Sequence, residues 1–462
     1  MDKWLKPALD YIPQWIDFQM RRHELPGAVI AVADRGRIVL ERAFGHADIG
    51  ADLALTPRHR FRVASHSKSF TAAGILKLRE QGRLSLDDPA GRHVAGLHPA
   101  VATSTIVQLL SHAAGLIRDG TDAGQWDDRR PFRDAAELRA DLAAAPVLEG
   151  NVRFKYSNHG YGLAGLIIEA VTGEAYGPWI RRAIVAPAGL EETEPDMPAA
   201  GASGRTRPLA RGHSGRLPFG RRLTLPGENP THALAAATGF VSTAADLARF
   251  FAQLDPGARR SLLSPASRRE MTRRQWRVAH GTPERHYGLG IIAGTIGDWD
   301  WFGHSGGFQG YITRTAVLPR PGLTVSVLTN AVDGPADLWV DGIIHILRAF
   351  ALEGAPTPRV RDWTGRWWNL WGVVDLVPMG DKVVVALPGL ANPFLDASEL
   401  AIDGRDRGRI ALAGGFGSHG EAVRRIRDAR GKPVEVWLGG TRFQPEARLV
   451  RKAERRYGAG TR

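Results

Sequence analysis

A serine and a lysine three residues apart, set where a short strand-like run turns helical, constrain this chain more than any other feature of its sequence. Phe61-Arg62-Val63-Ala64 reads as a strand, Ser65-His66-Ser67-Lys68 follows, and Thr71-Ala72-Ala73-Gly74-Ile75-Leu76-Lys77-Leu78 continues as a helix. Side chains three apart on a helix share a face, one turn from each other. The Ser65 hydroxyl therefore meets the Lys68 amine among the unpaired N–H groups of a helix start, which is the arrangement of an activated serine nucleophile. Two fixed positions in four recur by chance, so the strand-to-helix setting and two further motifs downstream carry the weight.

The rest of the chain decides what surrounds that stretch. With 462 residues it exceeds the usual size of one core, so two domains are expected, a catalytic one over 1–352 and a second over 353–462. Apolar content of 43% and charged content of 24% are those of an ordinary globular protein, and no apolar run approaches membrane-spanning length. The segment Met1-Asp2-Lys3-Trp4-Leu5-Lys6-Pro7 lacks the apolar core of a signal peptide. The expectation is a cytoplasmic protein, or one whose leader has been removed. The absence of cysteine excludes disulfides, thiolate metal sites and a cysteine nucleophile. The net charge of +13 is dispersed. Acidic residues interrupt its clusters at Arg268–Arg277, Arg424–Lys432 and Arg448–Arg456, and no nucleic-acid motif accompanies them, so a solvated arginine-rich surface is expected rather than a nucleic-acid partner.

Along the chain, Pro13–His23 reads as a helix with Pro13 near its start, followed by two strands, Ala28–Ala33 and Arg37–Phe44, joined through Asp34-Arg35-Gly36. The Ser65 helix stops at Gly82. From about residue 90 to 280 the pattern is helical with irregular interruptions. It includes a helix at Thr105–Leu110, another at Tyr161–Val171 closed by Gly173, extended loops over 185–232, and a capping signal at Thr243-Ala244-Ala245-Asp246. Strands return at His286–Gly294, Asp298–Phe302, Tyr311–Leu318 and Leu323–Thr329, before an apolar helix at Leu338–Ala351. This order predicts an α/β (α+β) fold, a sheet whose two sequence halves flank a helical lobe. Beyond a linker at 352–360, tryptophans crowd Trp363–Trp371, and short strands at Val383–Leu387, Gly408–Leu412 and Val434–Leu438 predict a small antiparallel, barrel-like β domain.

Two motifs join Ser65 and Lys68: Tyr156-Ser157-Asn158 ahead of a helix, and His304-Ser305-Gly306-Gly307 between two strand-like segments. Supporting stretches are Gly82–Pro89, Gln108-Leu109-Leu110-Ser111-His112-Ala113-Ala114-Gly115-Leu116 and Gly239–Leu247. Together, over about residues 10–352, they resemble the penicillin-recognising serine hydrolases, namely class C β-lactamases, DD-peptidases, D-aminopeptidases and related esterases. The resemblance implies a β-lactamase/transpeptidase-like antiparallel sheet with an all-helical lobe. It also implies an acyl-enzyme on Ser65, with Lys68 and Tyr156 as its proton relay, Asn158 on the substrate amide and on Lys68, and an oxyanion hole from the N–H groups of Ser65 and Gly307, beside His304 and Gly306.

Neither a lysine nor a tyrosine is deprotonated at neutral pH in water, and reaching about 7 takes a shift of roughly 3 units. Burial lowers a lysine's pKa and a nearby ammonium lowers a tyrosine's, so the sequence leaves open which of the two is the base. The β-lactamases of the family usually carry a lysine where His304 stands. A histidine there, mostly neutral at pH 7, is expected to favour neutral amides or esters over carboxylate-bearing β-lactams, with Arg314 partly replacing the missing cation. Two rival readings fit the sequence less well. Gly303-His304-Ser305-Gly306-Gly307 fits Gly-x-Ser-x-Gly, but the helix that motif requires after its serine is replaced by the strand-like Phe308–Leu318. A metal hydrolase lacks His-Glu-x-x-His. The reading is a serine hydrolase without metal or cofactor, acting on a small-molecule amide or peptide first, an ester second and a β-lactam third, with a non-catalytic binding or sensor module as the alternative of another class.

Overall fold

Two apolar strands from opposite ends of the catalytic sequence pair at the middle of one sheet. Gly27–Asp34 runs antiparallel to Leu323–Thr329, with Ala28 opposite Thr329 and Asp34 opposite Leu323. Residues 28–33 are all fully buried, which accounts for an uninterrupted Ala-Val-Ile run where a half-exposed strand would alternate. The computed structural model describes residues 2–197, 208–217, 219–225, 227–281 and 283–458. The sheet has nine strands, all antiparallel. From one edge they are Leu53–Ala54, Arg37–Asp48, Gly27–Asp34, Leu323–Thr329, Tyr311–Leu318, Trp299–Phe308, Ile292–Ile296, His286–Tyr287 and Trp276–Arg277. The helices from Ser67–Glu80 to Pro265–Thr272 lie in the sequence between its two halves, as the sequence pattern predicts.

The chain forms two compact units, one of Glu24–Val340 and one of Met1–His23 with Asp341–Arg462. In the second, eight antiparallel strands follow one another in chain order from Gly365–Asn369 to Thr441–Phe443. Reciprocal bonds between the Trp368 and Gln444 backbones (2.8 and 2.9 Å) bring its first strand back to the end of its last, giving a nearly closed barrel. Trp363, Trp367, Leu400 and Val436 fill its core. The first helix spans Leu5–His23 and contains Pro13, so it starts two turns earlier than Pro13 suggested. In this unit it is held by the Tyr11 hydroxyl on Asp375 (3.0 Å) and by Trp15, whose ring fills the space where Gly342 lacks a Cβ. Of the stretch read as extended loops, residues 198–207, 218 and 226 lie outside the described residues.

The helix Ser67–Glu80 is buried along nearly its whole length. Its Phe70 ring stacks between Phe240 (4.3 Å) and Phe250 (3.8 Å). Phe250 belongs to Ala244–Gln253, the helix capped by Thr243, whose hydroxyl accepts from the Asp246 N–H at 3.3 Å. The Ser65 segment is thus clamped from behind by an aromatic stack. Phe70→Ala is expected to destabilise the protein by about 3–5 kcal/mol, the usual cost of emptying a buried phenylalanine site, measured by urea denaturation. A loss below about 1 kcal/mol would show that the stack does not anchor this helix.

Candidate active site

The strand ahead of Ser65 is only Phe61–Arg62, paired with Val241–Ser242. Ser65 itself lies in a single 3₁₀ turn, Ala64–His66, ahead of the α-helix rather than in its first turn. The i, i+3 relation survives, because residues three apart eclipse one another in a 3₁₀ turn. Ala64 has φ +44°, a left-handed conformation that costs a non-glycine residue about 1–3 kcal/mol. The surroundings impose it. Val63 N–H donates to Phe240 O (3.0 Å), Ser67 Oγ donates to Ala64 O (2.5 Å), and Phe240 N–H donates to Ser67 Oγ (3.0 Å). The buried His66 donates from Nδ1 to Val63 O (2.9 Å) and accepts at Nε2 from Thr315 Oγ1 (3.1 Å). Burial lowers its pKa to about 4, so it stays neutral.

Around the Ser65 hydroxyl the first two motifs converge. Lys68 Nζ lies 3.0 Å from Ser65 Oγ, 2.7 Å from Asn158 Oδ1 and 2.9 Å from Ala237 O. The Tyr156 hydroxyl donates to Ser65 Oγ at 2.7 Å. Asn158 opens the helix Asn158–Thr172, capped by Ser157, whose Oγ accepts from the Gly160 N–H (2.9 Å). Burial drives the Lys68 amine well below its ordinary range, with the Asp119 charge opposing and the Arg118 charge adding. Burial also drives the Tyr156 phenol up, against the downward pull of its Ser65 hydrogen bond and of Arg118. The ammonium effect expected for Tyr156 is therefore outweighed by desolvation, and both groups favour their neutral forms. Of the two neutral groups, the amine is the more basic.

The third motif is not a turn. His304, Ser305, Gly306 and Gly307 all lie within the strand Trp299–Phe308, paired with Tyr311–Leu318. Alternation sends His304 and Thr315 to the face that holds His66, whose ring centre lies 6.2 Å from that of His304. Gly306 is required by close approach, because a Cβ there would sit 2.2 Å from Val63 O. The strand can reach the Ser65 turn only without a side chain at that position. Gly307 is exposed, and a Cβ there would meet Ile312 Cδ1 at an ordinary 3.6 Å. His304 is buried, donates from Nδ1 to Ser305 O (2.7 Å) and accepts at Nε2 from the Tyr287 hydroxyl (3.0 Å). Burial, with Lys68 and His66 nearby, holds its pKa well below the imidazole range. Arg314 does not replace the missing cation. Being even-numbered on its strand, it points to the opposite face, where its guanidinium lies 4.5 Å from the Trp301 ring and donates to Asp337 O (2.7 Å).

Four contributors carry no signal of their role in the sequence. Asp119 is buried and accepts at Oδ1 from Asn158 Nδ2 at 2.6 Å. Ala237 supplies a carbonyl from a π-helical turn, Ala235–Gly239, that no side-chain pattern announces. His112, inside a stretch used only for its resemblance, accepts at Nδ1 from the Ser157 N–H (3.1 Å) and packs 4.3 Å from the Tyr156 ring. The exposed Arg118 places its guanidinium 5.7 Å from that ring and its Nε 3.1 Å from Asp119 Oδ2. Among the described residues no group of histidines and carboxylates forms a metal-binding cluster, and no helix is long and apolar enough to cross a membrane.

Known proteins resemble this chain in sequence and in fold. Protein flp of Staphylococcus aureus (strain N315) is 30% identical over 186 residues, 39% of this chain, and the chain spans only 37% of its length. The octameric penicillin-binding protein homologue from Pyrococcus abyssi superposes with a TM-score of 0.66 over 94% of this chain and 99% of its own, at 24% identity, a likeness of fold. A D-stereospecific amidohydrolase from Streptomyces sp. is 26% identical over 72% of this chain and 95% of its own, with a TM-score of 0.58. The Beta-lactamase family model matches residues 12–345, nearly three-quarters of the sequence and all three motifs, and the chain belongs to that family of serine hydrolases.

Proposed function

We propose that this protein hydrolyses a small amide or peptide through an acyl-enzyme on Ser65, with a D-configured residue on the acyl side. The observation that carries the reading is the set of three oxygens around Lys68 Nζ. Asn158 Oδ1 and Ala237 O can only accept hydrogen bonds, so a neutral amine spends both of its hydrogens on them. Its lone pair then faces Ser65 Oγ at 3.0 Å, within reach for proton abstraction.

In this scheme Lys68 takes the Ser65 proton as Oγ bonds to the substrate carbonyl carbon, and the N–H groups of Ser65 and Gly307 receive the developing oxyanion. Tyr156, 2.7 Å from Oγ, passes a proton to the leaving amine as the C–N bond breaks, and Lys68 restores it. Water then attacks the ester by the same route in reverse. His304 and Gly306 shape the strand against which the substrate lies. The D-configuration draws support from the amidohydrolase named above. The preference for neutral substrates draws support from His304, which is buried and committed at both nitrogens, and from Arg314, which faces away. Ester hydrolysis is the second reading, since the same acyl chemistry needs only a different leaving group.

A fluorophosphonate probe should label the protein at Ser65 and fail on Ser65→Ala. An unlabelled but folded wild-type protein would point to a binding module instead. Lys68→Ala and Tyr156→Phe should each lower kcat by roughly 10²–10⁴-fold, the usual worth of a positioned acid or base, and the double variant by little more, because the two act as one relay. Losses that multiply would argue for independent roles. Because the neutral amine is the active form, kcat/KM should rise with pH through a limb lying well below the ordinary lysine range; a limb near the reference value of about 10.4 would contradict the scheme. Across D- and L-amino-acid p-nitroanilides, p-nitrophenyl esters and nitrocefin, D-amides should turn over fastest and nitrocefin slowly. The amide reading fails if nitrocefin leads that panel.

A further inference from the structure

We infer that Asp119 is the positioning residue of this site, fixing the Asn158 amide and through it the direction of the Lys68 lone pair. The inference rests on Ser65 as the nucleophile, but not on which acyl group it accepts. The two ends of an asparagine side chain differ in chemistry and hardly in shape, so something must select which end faces the lysine. Here a carboxylate does so. Asp119 Oδ1 accepts from Asn158 Nδ2 at 2.6 Å, and the opposite end, Oδ1, therefore meets Lys68 Nζ at 2.7 Å. The backbone adds a second tether, since Asn158 N–H donates to Arg118 O at 2.9 Å.

The consequence follows from counting donors and acceptors. If the amide were reversed, an N–H of Asn158 would face Nζ, and a neutral lysine would turn its lone pair toward that hydrogen and away from Ser65 Oγ. With Asp119 present, Asn158 and Ala237 absorb both amine hydrogens and the lone pair has one destination. Asp119 also contributes charge. The groups around Lys68 are Tyr156 and Tyr161, whose rings lie 4.8 and 5.6 Å from Nζ, together with Arg118, His112 and His304. The histidines are held neutral by burial, Arg118 opposes a charge on the amine, and Asp119 is the carboxylate that favours it. Removing that charge while keeping an acceptor should therefore lower the Lys68 pKa further and carry the acid limb of the rate profile to lower pH.

Two variants separate the effects, each read by fluorophosphonate acylation and by hydrolysis of a D-amino-acid p-nitroanilide across pH, with circular dichroism to verify folding. Asp119→Ala should lower both the acylation rate and kcat roughly ten- to hundred-fold, the range for losing one charge-assisted hydrogen bond, with little change in KM. Asp119→Asn, of the same shape, should displace the acid limb to lower pH. The inference is overturned if the Asp119→Asn limb coincides with that of the wild type, or if folded Asp119→Ala keeps wild-type kcat. Should Asp119→Ala fail to fold, the Asp119→Asn limb decides alone. If the wild-type protein is not labelled at Ser65, the underlying reading falls together with this one; if it is labelled and the variants match it, only the role of Asp119 falls.

Discussion

The amine of Lys68 is fully buried, and the site is organised around what that burial does to it. In water an ammonium is solvated and carries no lone pair. Enclosed among Tyr156, Tyr161 and the helix that follows Ser65, it loses that solvation, and the neutral form gains accordingly. Neutrality alone would leave the lone pair free to turn. Three fixed oxygens remove that freedom, and each is fixed by a different part of the fold: Ser65 by a strained turn, Asn158 by a helix start, Ala237 by a π-helical segment. A hydrogen bond from the Thr71 hydroxyl to Ala236 O (2.7 Å) ties that last segment to the Ser65 helix itself.

The sheet contributes by closeness rather than by side-chain chemistry. The strand Trp299–Phe308 meets the Ser65 turn where a Cβ on Gly306 would overlap Val63 O. Behind the contact, a chain of hydroxyls and one imidazole runs from Val63 O through His66 to Thr315 and on to Ser326 (2.9 Å). Every group in it is buried and paired, and a buried polar chain that is fully satisfied rigidifies what it connects. The cost of the left-handed Ala64 is met by this packing, so the strain stays in the backbone beside the nucleophile.

Much of this was legible in the sequence, and the remainder was not for identifiable reasons. Ser65 with Lys68 and Tyr156 with Asn158 stand in two short motifs whose meeting the family resemblance implies, and the structure places all four within one hydrogen-bonded group. The sheet halves were visible as apolar strands on either side of a helical stretch. The His304 motif looks in sequence as if it lies between strands, because two glycines and a serine weaken any strand signal, while tertiary pairing with Tyr311–Leu318 overrides it. The expectation for Arg314 fails because alternation tells which residues share a face and not which face meets the site. In the barrel, Ala422–Arg427 has a weak strand signal because Arg424, Arg425 and Arg427 leave only Val423 and Ile426 as apolar positions, and the inward Arg425 is buried against the Trp363 ring, which no alternation pattern announces. Asp119 had no local signal at all. Its partner is 39 residues away, and only the folded chain brings the carboxylate to the amide.

Charge at the site follows from the same burial. A lysine in place of His304 would put a second cation near Lys68, and each would oppose the other's protonation. A neutral imidazole, held by Tyr287 and by its own backbone, avoids that competition. Positive charge near Ser65 comes from Arg118, exposed beside the Tyr156 ring and balanced by Asp119, and from the half-buried Lys155 next to Tyr156. A cation in water beside a buried carboxylate is screened and partly neutralised, so it discriminates weakly between charged and uncharged substrates. Selectivity in such a site has to come from shape and from hydrogen bonds made at the main chain, which can sense the configuration at a substrate carbon beside the carbonyl.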